Sequence, residues 1–299
     1  MRIDPNIVPE ILADLQQSQV SLNTALQQVS TGKSVNVPSD NPAAAADMVQ
    51  NTIETGDVDQ YTQNVSSVLS TVQSASSVLN SVVSSLTQAV SLGTEGANGT
   101  NSTADLQALA TQVQGILSSV VSAANTSLSG TYLFGGTSPA APYTADPTSP
   151  TGYTYNGNDD SNSVAIGDQL SVKVNLPGSQ IFSNASNSVL GSLSSLVTAL
   201  QTGNGANIET ATNAVNSALN FVGQQQGFYG SAEQELNSQE QYLQQDTVTL
   251  ASQENNLIGV NEATAATDLS QAETDNSAAL AAAAKVLPNS LLNYLSTPT

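Results

Sequence analysis

The chain has 299 residues, of which 24 are acidic and only 4 are basic (Arg2, Lys33, Lys173 and Lys285), so its net charge is −20. Such an acidic surface repels nucleic acid and anionic membranes, because binding to either needs clustered lysine and arginine. We therefore expect neither partner. Aromatic residues make up only 4% of the chain and tryptophan is absent, which argues against a large globular core and favours slender helices with seams of small side chains.

The N-terminal region has the apolar spacing of a helix, running from Val8 to Val29. It lacks the basic region and the cleavage site of a signal peptide, which argues either for a cytoplasmic protein or for export without a cleaved signal. No run of about 18 apolar residues occurs anywhere in the chain, so no membrane-spanning helix is expected. The segments Ser30–Lys33 and Pro38–Pro42 follow this first helix.

A second helix is predicted to begin at Pro42, with Asp40 or Asn41 as its cap, and to end at a cluster of glycines, Gly93, Gly96 and Gly99. Its apolar positions alternate in spacings of three and four, which is typical of a coiled-coil seam. They are Val58, Tyr61, Val65, Val68, Val72, Ala75, Leu79, Val82, Leu86 and Ala89. A further helix is predicted from about residue 103 to 128.

Residues 138–186 have a different pattern, rich in proline and glycine, with short strand-like runs at 153–155, 164–166 and 170–174. This region is predicted to be a small β-rich insertion. Asn156–Asp160 contains a tight-turn signal and is predicted to be a polar hairpin turn. It lacks the ligand order and the terminal glutamate of an EF-hand calcium loop.

Helical periodicity returns at 189–200 and then over about 207–257, where apolar residues recur every seven positions. A last apolar stripe follows towards the C-terminus. The two terminal helices have too few bulky side chains to form a domain alone, so they are expected to bury their apolar faces against each other and against neighbouring copies. The residues predicted to mediate this self-assembly are Val8, Ile11, Leu15, Leu22, Leu26, Val29, Leu269, Leu280, Val286, Leu287, Leu291, Leu292 and Leu295.

The predicted fold is therefore mainly α: a long coiled-coil-like helical rod with paired terminal helices and a small β-rich insertion. Three parts are expected, namely terminal helices at 1–41 and 257–299, a rod at 42–137 and 187–256, and the insertion at 138–186. Histidine and cysteine are absent, which removes the usual nucleophile–base pairs and the commonest zinc ligands. We expect no enzymatic activity, no cofactor and no metal.

The chain resembles the bacterial flagellin family, and most of all its hook-filament junction proteins. The resemblance lies in Val29–Lys33, Pro38–Ala46, Gly130–Thr137, Tyr155–Asn158, Val174–Gly178, Ile181–Phe182 and Ser290–Leu295. The segment Tyr132-Leu-Phe-Gly-Gly136, followed by a short β insertion, favours a junction protein.

This resemblance implies an extracellular structural subunit of the bacterial flagellum that joins hook to filament and is exported without a cleaved signal peptide. The terminal helices would be disordered in the monomer and would fold on assembly. The implied partners are neighbouring copies, a hook-side hook-associated protein, flagellin and an export chaperone. Two alternatives remain open: a filament-forming flagellin, which would polymerise alone, and a secreted coiled-coil effector or adhesin, which would have ordered ends as a monomer.

Overall fold

A computed structural model describes the backbone of residues 7–295 and the side chains of residues 9–285. Seven helices and six short strands make up this part of the chain, so the predicted mainly α fold class is confirmed. The helices are α1 (Ile7–Thr31), α2 (Pro42–Gly96), α3 (Thr103–Ala124), α4 (Gly178–Ile181), α5 (Val189–Thr202), α6 (Gly205–Ile258) and α7 (Glu262–Leu295). The strands are β1 (Ser127–Leu128), β2 (Thr131–Tyr132), β3 (Tyr143–Ala145), β4 (Tyr153–Tyr155), β5 (Ser163–Gly167) and β6 (Leu170–Lys173).

The chain divides into two compact units, and the long helices α2 and α6 contribute residues to both. The terminal unit comprises Met1–Asp57 and Gln245–Thr299, and the central unit comprises Val58–Gln244. The division into terminal helices, rod and insertion that the sequence predicts stays a prediction.

The core of the central unit is the apolar seam of α2, as the heptad spacing predicts. Every predicted seam residue from Val65 to Ala89 is buried, and only Tyr61 near the start is half-buried. On α6 the positions seven apart are buried too, from Ile208 through Val222 to Leu236. Full burial of a leucine or valine side chain stabilises a fold by about 1.5–3 kcal/mol, so this seam contributes strongly to the stability of the central unit.

The cap of α2 is Asn41, one of the two candidates that the sequence offered. Its Oδ1 accepts a hydrogen bond from the backbone N–H of Ala44 at 3.2 Å. Asp40 has another role, since its Oδ2 accepts from the N–H groups of Asn36 and Val37, both at 3.0 Å. It thereby fixes the loop that precedes the helix.

Helix α3 ends four residues before the predicted end. Asn125 exchanges two hydrogen bonds of 2.8 Å with the backbone of Tyr143, which turns the chain away from the helix axis. The next residues form the hairpin β1–β2, whose turn contains Ser129 and Gly130 with positive φ. These contacts join residues 18 apart in sequence, so helical periodicity gives no signal of them.

The insertion consists of separate hairpins, β3–β4 and β5–β6, both antiparallel. The predicted hairpin turn at Asn156–Asp160 is wrong, because β4 pairs with the preceding strand and the segment links the two hairpins. Asn158 explains this path: its side chain accepts from the Thr137 N–H at 2.8 Å and donates to Thr137 Oγ1 at 2.7 Å. The segment is therefore held by residues 135–137 instead of folding back on itself.

A small aromatic cluster forms the core of the insertion. Phe134 and Phe182 pack edge to face with ring centres 5.2 Å apart, and Tyr143 packs against Phe182 at 6.1 Å. The Tyr143 hydroxyl donates to the Gly178 carbonyl at 2.9 Å. From α6, the buried Tyr229 accepts a hydrogen bond from the Leu176 N–H at 3.1 Å through its hydroxyl, which ties the insertion to the helical part of the central unit.

Candidate assembly site on the terminal helices

Helices α1 and α7 pack against each other within the terminal unit. On α1 the side chains withdrawn from solvent from residue 11 to residue 25 alternate in spacings of four and three, and Gln28 follows them; the alternating ones are Ile11, Leu15, Ser18, Leu22 and Ala25. On α7 the matching series is Ala265, Leu269, Ala272, Asn276, Ala279 and Ala283. This alternation is the signature of a coiled-coil seam, and it brings the two ends of the chain together.

The seam between α1 and α7 is thin. Among the described residues of these helices only Ala25, Ala265 and Ala283 are buried, whereas Ile11, Leu15, Leu22 and Leu269 are only half-buried. Alanine adds little apolar area to a seam, and half-buried side chains gain about half of the burial energy. The pair is therefore much less stabilised by burial than the fully buried seam of the central unit.

Two polar atoms weaken the seam further. Ser18 Oγ and Asn276 Oδ1 are shielded from water and have no hydrogen-bond partner among the described residues. Leaving such a group unpaired costs about 1–3 kcal/mol.

The loop after α1 is fixed by the loop between α6 and α7. Gly32, with φ of +69°, ends α1 in the left-handed conformation that suits glycine. The next residues pair with the second loop: Ser34 N–H donates to the Ile258 carbonyl at 2.6 Å, and Val260 N–H donates to the Gly32 carbonyl at 3.1 Å. Lys33 forms an ion pair of 3.0 Å with Glu254. These contacts give the Ser30–Lys33 motif a structural role, which is to set where α1 and α7 begin to pair.

Exposed apolar side chains are concentrated in the terminal unit. Of the eleven large apolar side chains that are exposed in the described part of the chain, nine belong to this unit. They are Leu12, Val20, Leu26, Val29, Val37, Val49, Ile53, Val248 and Leu280. Isolated exposed apolar residues are common, but their concentration in this unit leaves apolar side chains that a partner could cover.

The residues predicted to mediate assembly fall into three groups. Ile11, Leu15, Leu22 and Leu269 lie half-buried in the α1–α7 seam, whereas Leu26, Val29 and Leu280 are exposed. The remaining six lie outside the described side chains: Val8, Val286, Leu287, Leu291, Leu292 and Leu295. No observation tests the role of any of them, so it stays a prediction.

The sequence analysis did not single out the exposed pair Val49 and Ile53 on α2. These residues are four apart and lie on one face of the helix, a spacing that could have revealed them. They precede the heptad series that begins at Val58, and that series gave the stronger signal.

An open groove of about 600 Å³ runs beside the α1–α7 pair, and most of its lining residues are polar. Three carboxylates border it, those of Asp14, Asp268 and Asp275. In the part of the chain that the structure describes, no cluster of three or more acidic side chains could hold a metal ion.

No helix among the described residues is long and apolar enough to cross a membrane.

Residues 9–138 match the family described as the bacterial flagellin N-terminal helical region. The resemblance to the flagellin family is thereby confirmed for this part of the chain. No curated protein sequence matches the chain.

The chain shares its fold with solved structures of flagellar hook-associated proteins. A Vibrio parahaemolyticus protein assigned as a flagellar hook-associated protein has a TM-score of 0.67 at 20% identity, covering 74% of this chain and 100% of that one. Bacillus cereus FlgL has a TM-score of 0.60 at 22% identity, covering 69% and 99%. The flagellar junction protein FlgL of Legionella pneumophila has a TM-score of 0.60 at 14% identity, covering 71% and 100%. At these identities the likeness establishes a shared fold.

Proposed function

We propose that the chain is a structural subunit of the bacterial flagellum that joins hook to filament and assembles through its terminal helices. Two findings support this function. The N-terminal part matches flagellin, and the solved structures that share the fold, over almost their whole length, include a protein described as a flagellar junction protein. The subunit has no enzymatic activity in this proposal.

The observation that carries the proposal is the concentration of exposed apolar side chains in the terminal unit. Leu26 and Val29 are 46% and 44% exposed. Burying the exposed half of such a side chain contributes about 1 kcal/mol. Several of them buried together at one interface would supply several kcal/mol, which offsets part of the cost of association and of ordering the helix ends.

Each part of the chain has a role in this proposal. The terminal segments 1–41 and 257–299 are disordered in the free subunit and pair on assembly, residues 42–137 and 187–256 form the rod, and the insertion at 138–186 faces outward. The partners are neighbouring copies, a hook-associated protein on the hook side, flagellin on the filament side and an export chaperone. The subunit functions outside the cell and reaches that place without a cleaved signal peptide.

Deleting the gene in its host tests the function. A junction subunit is needed only to attach the filament, so the mutant should keep its hooks and shed flagellin into the medium. Loss of both hook and filament would contradict the proposal. Purified protein that polymerises alone into long filaments would identify a filament-forming flagellin instead.

A matched pair of variants tests the surface. Leu26→Ser changes an exposed leucine of the terminal unit, and Leu170→Ser changes one that is 39% exposed in the central unit. Both should leave helix content and thermal unfolding of the purified chain unchanged. Only Leu26→Ser should fail to restore motility to the deletion strain. Equal restoration by both variants would refute the assignment of the surface.

Amide exchange tests the ordering of the ends. In a dilute solution of the free subunit, the amides of residues 9–29 and 269–285 should exchange within seconds to minutes, while those of the buried α2 seam remain protected. Slow exchange in both terminal helices would contradict ordering on assembly and would favour a secreted protein with ordered ends.

A further inference from the structure

Three asparagines of the central unit are followed by glycine: Asn98, Asn156 and Asn204. An asparagine in this context can lose its side-chain amide without an enzyme. The backbone nitrogen of the glycine attacks Cγ of the asparagine, and the two close a five-membered imide ring. The proton of that N–H passes to the side-chain amide group, which departs as ammonia. Water then opens the ring to aspartate or isoaspartate. Glycine permits this because it has no side chain to obstruct the approach and can adopt many backbone conformations.

Asn98 lies in the turn between α2 and α3 and is exposed together with Gly99. The space around Gly99 is open, since no atom beyond its two chain neighbours lies within 4 Å of the position that a Cβ would occupy. The Gly99 N–H donates to no acceptor among the described residues. The attacking nitrogen is therefore free to turn towards the side chain.

The side chain of Asn98 is also activated. Its Oδ1 accepts a hydrogen bond from the Thr100 hydroxyl at 3.1 Å and a longer one from the Thr100 N–H at 3.4 Å. Hydrogen bonds to a carbonyl oxygen withdraw electron density from its carbon, so Cγ becomes a better target for the attack. Thr100 thus contributes to the reaction without touching the attacking nitrogen.

Asn204 lies at the N-terminus of the long helix α6. It caps α6, since its Oδ1 accepts from the N–H groups of Ala206 at 3.1 Å and Asn207 at 3.2 Å, and its carbonyl accepts from Ile208 at 2.9 Å. Gly205 is the first residue of the helix. The attack cannot proceed until this cap opens. The free energy of such a cap corresponds to an attack that is about five to ten times slower.

Asn156 is restrained on both sides of the reacting atoms. Its Nδ2 donates to Thr144 Oγ1 at 2.8 Å, and its backbone N–H donates to the Pro142 carbonyl at 2.8 Å. Gly157 is enclosed, because a Cβ there would come within 2.3 Å of the Tyr155 hydroxyl. The glycine has no room to rotate its nitrogen towards Cγ.

We propose that Asn98 is a site of spontaneous deamidation and that it reacts well before the other two asparagine–glycine steps. The product places a carboxylate just beyond the C-terminus of α2, three residues after Glu95. Negative charge is disfavoured at a helix C-terminus. The isoaspartate form also lengthens the main chain in the α2–α3 turn.

The test follows all three sites in one sample of the full chain, kept at mildly alkaline pH and sampled over weeks. Peptide mass spectrometry detects the mass gain that marks an amide replaced by an acid. The Asn98 peptide should convert first, with Asn204 at least about fivefold slower and Asn156 slower still. Conversion of Asn156 or Asn204 as fast as Asn98, or an unchanged Asn98 when a free peptide of residues 95–102 converts, would overturn the proposal.

Two variants and one change of solvent test why Asn98 reacts first. Gly99→Ala should slow conversion of Asn98 and leave thermal unfolding unchanged, because the space there is open. Thr100→Val should slow it too, since the hydroxyl hydrogen bond is lost. In concentrated urea the three rates should approach one another; a persistent large difference would show that local sequence, and not the fold, sets the order.

Discussion

The hydroxyl of Tyr229 provides the sharpest test of how the central unit holds its insertion. Tyr229 is fully buried on α6, and its hydroxyl oxygen is the acceptor for the Leu176 N–H at 3.1 Å. Tyr229→Phe removes the acceptor and keeps the ring. The Leu176 N–H is then left without a partner in a half-buried position, which costs about 1–2 kcal/mol.

Amide exchange at Leu176 measures this loss directly. The expected free-energy loss corresponds to about a tenfold faster exchange of that one amide, while the amides of the α2 seam exchange as before. This local readout does not require the two units to unfold together. Tyr242→Phe is the matched control, because Tyr242 lies on the same helix and is 61% exposed.

The pH dependence of stability supplies a second test of the role of Tyr229. Burial raises the pKa of Tyr229 to about 12, so folding favours the neutral phenol. Its contribution to stability is complete below the ordinary tyrosine pKa of about 10 and is lost as pH rises towards 12. Tyr229→Phe should weaken this alkaline loss of stability without abolishing it, because burial also raises the pKa of Tyr143. Unchanged exchange at Leu176 and an unchanged alkaline profile would refute the reasoning.

Three further outcomes are expected. Leu79→Ala should lower the free energy of unfolding by about 2–5 kcal/mol in urea titrations, because Leu79 is fully buried in the α2 seam. Gly136→Ala should cost more than about 1 kcal/mol in the same assay, since Gly136 has φ of +71° and the new Cβ would clash with Asn158. Hydrogen bonds from Thr148 and Thr154 lower the pKa of Asp146 to about 2; Thr154→Val should raise the midpoint of the Asp146 carboxyl in an NMR titration, and an unchanged midpoint would contradict that cause.

The long helices could be predicted from the sequence because their signal is local and repeated. The heptad series from Val58 to Ala89 locates the α2 seam without knowledge of its partner, and the observed helix bounds differ little from the predicted ones. A coiled-coil seam repeats the same physical requirement at every turn. An error at one position, such as the half-buried Tyr61, therefore leaves the interpretation intact.

The strand pairing of the insertion could not be predicted in the same way. Its strands have three to five residues, too few for an alternating pattern to be distinctive. Their arrangement depends on side-chain contacts between distant residues, such as Asn125 with Tyr143 and Asn158 with Thr137. A turn signal at Asn156 was present in the sequence, but it could not reveal that β4 pairs with the strand before it.

The apolar stripe of α1 was visible in the sequence, but which of its residues face α7 was not. Leu22 and Leu26 belong to one predicted stripe, yet Leu22 is half-buried and Leu26 is exposed, while Ala25 between them is buried. When an apolar stripe is wider than the area that one partner helix can cover, part of the stripe remains exposed to water. The sequence gives the width of the stripe, and only the fold shows how much of it remains exposed.

The contrast between the two seams explains why a subunit of this kind would need neighbours. The α2 seam buries leucine and valine completely, whereas the α1–α7 seam buries alanine and contains two unpaired polar atoms. Ordering a residue costs about 1–2 kcal/mol in backbone entropy, and a seam of buried alanines offsets little of that cost. The apolar side chains that could offset more are the exposed ones, of which Leu26 and Val29 are examples. Their burial requires a partner surface, which the described part of the chain does not itself supply. In the proposed function, neighbouring copies of the subunit supply that surface.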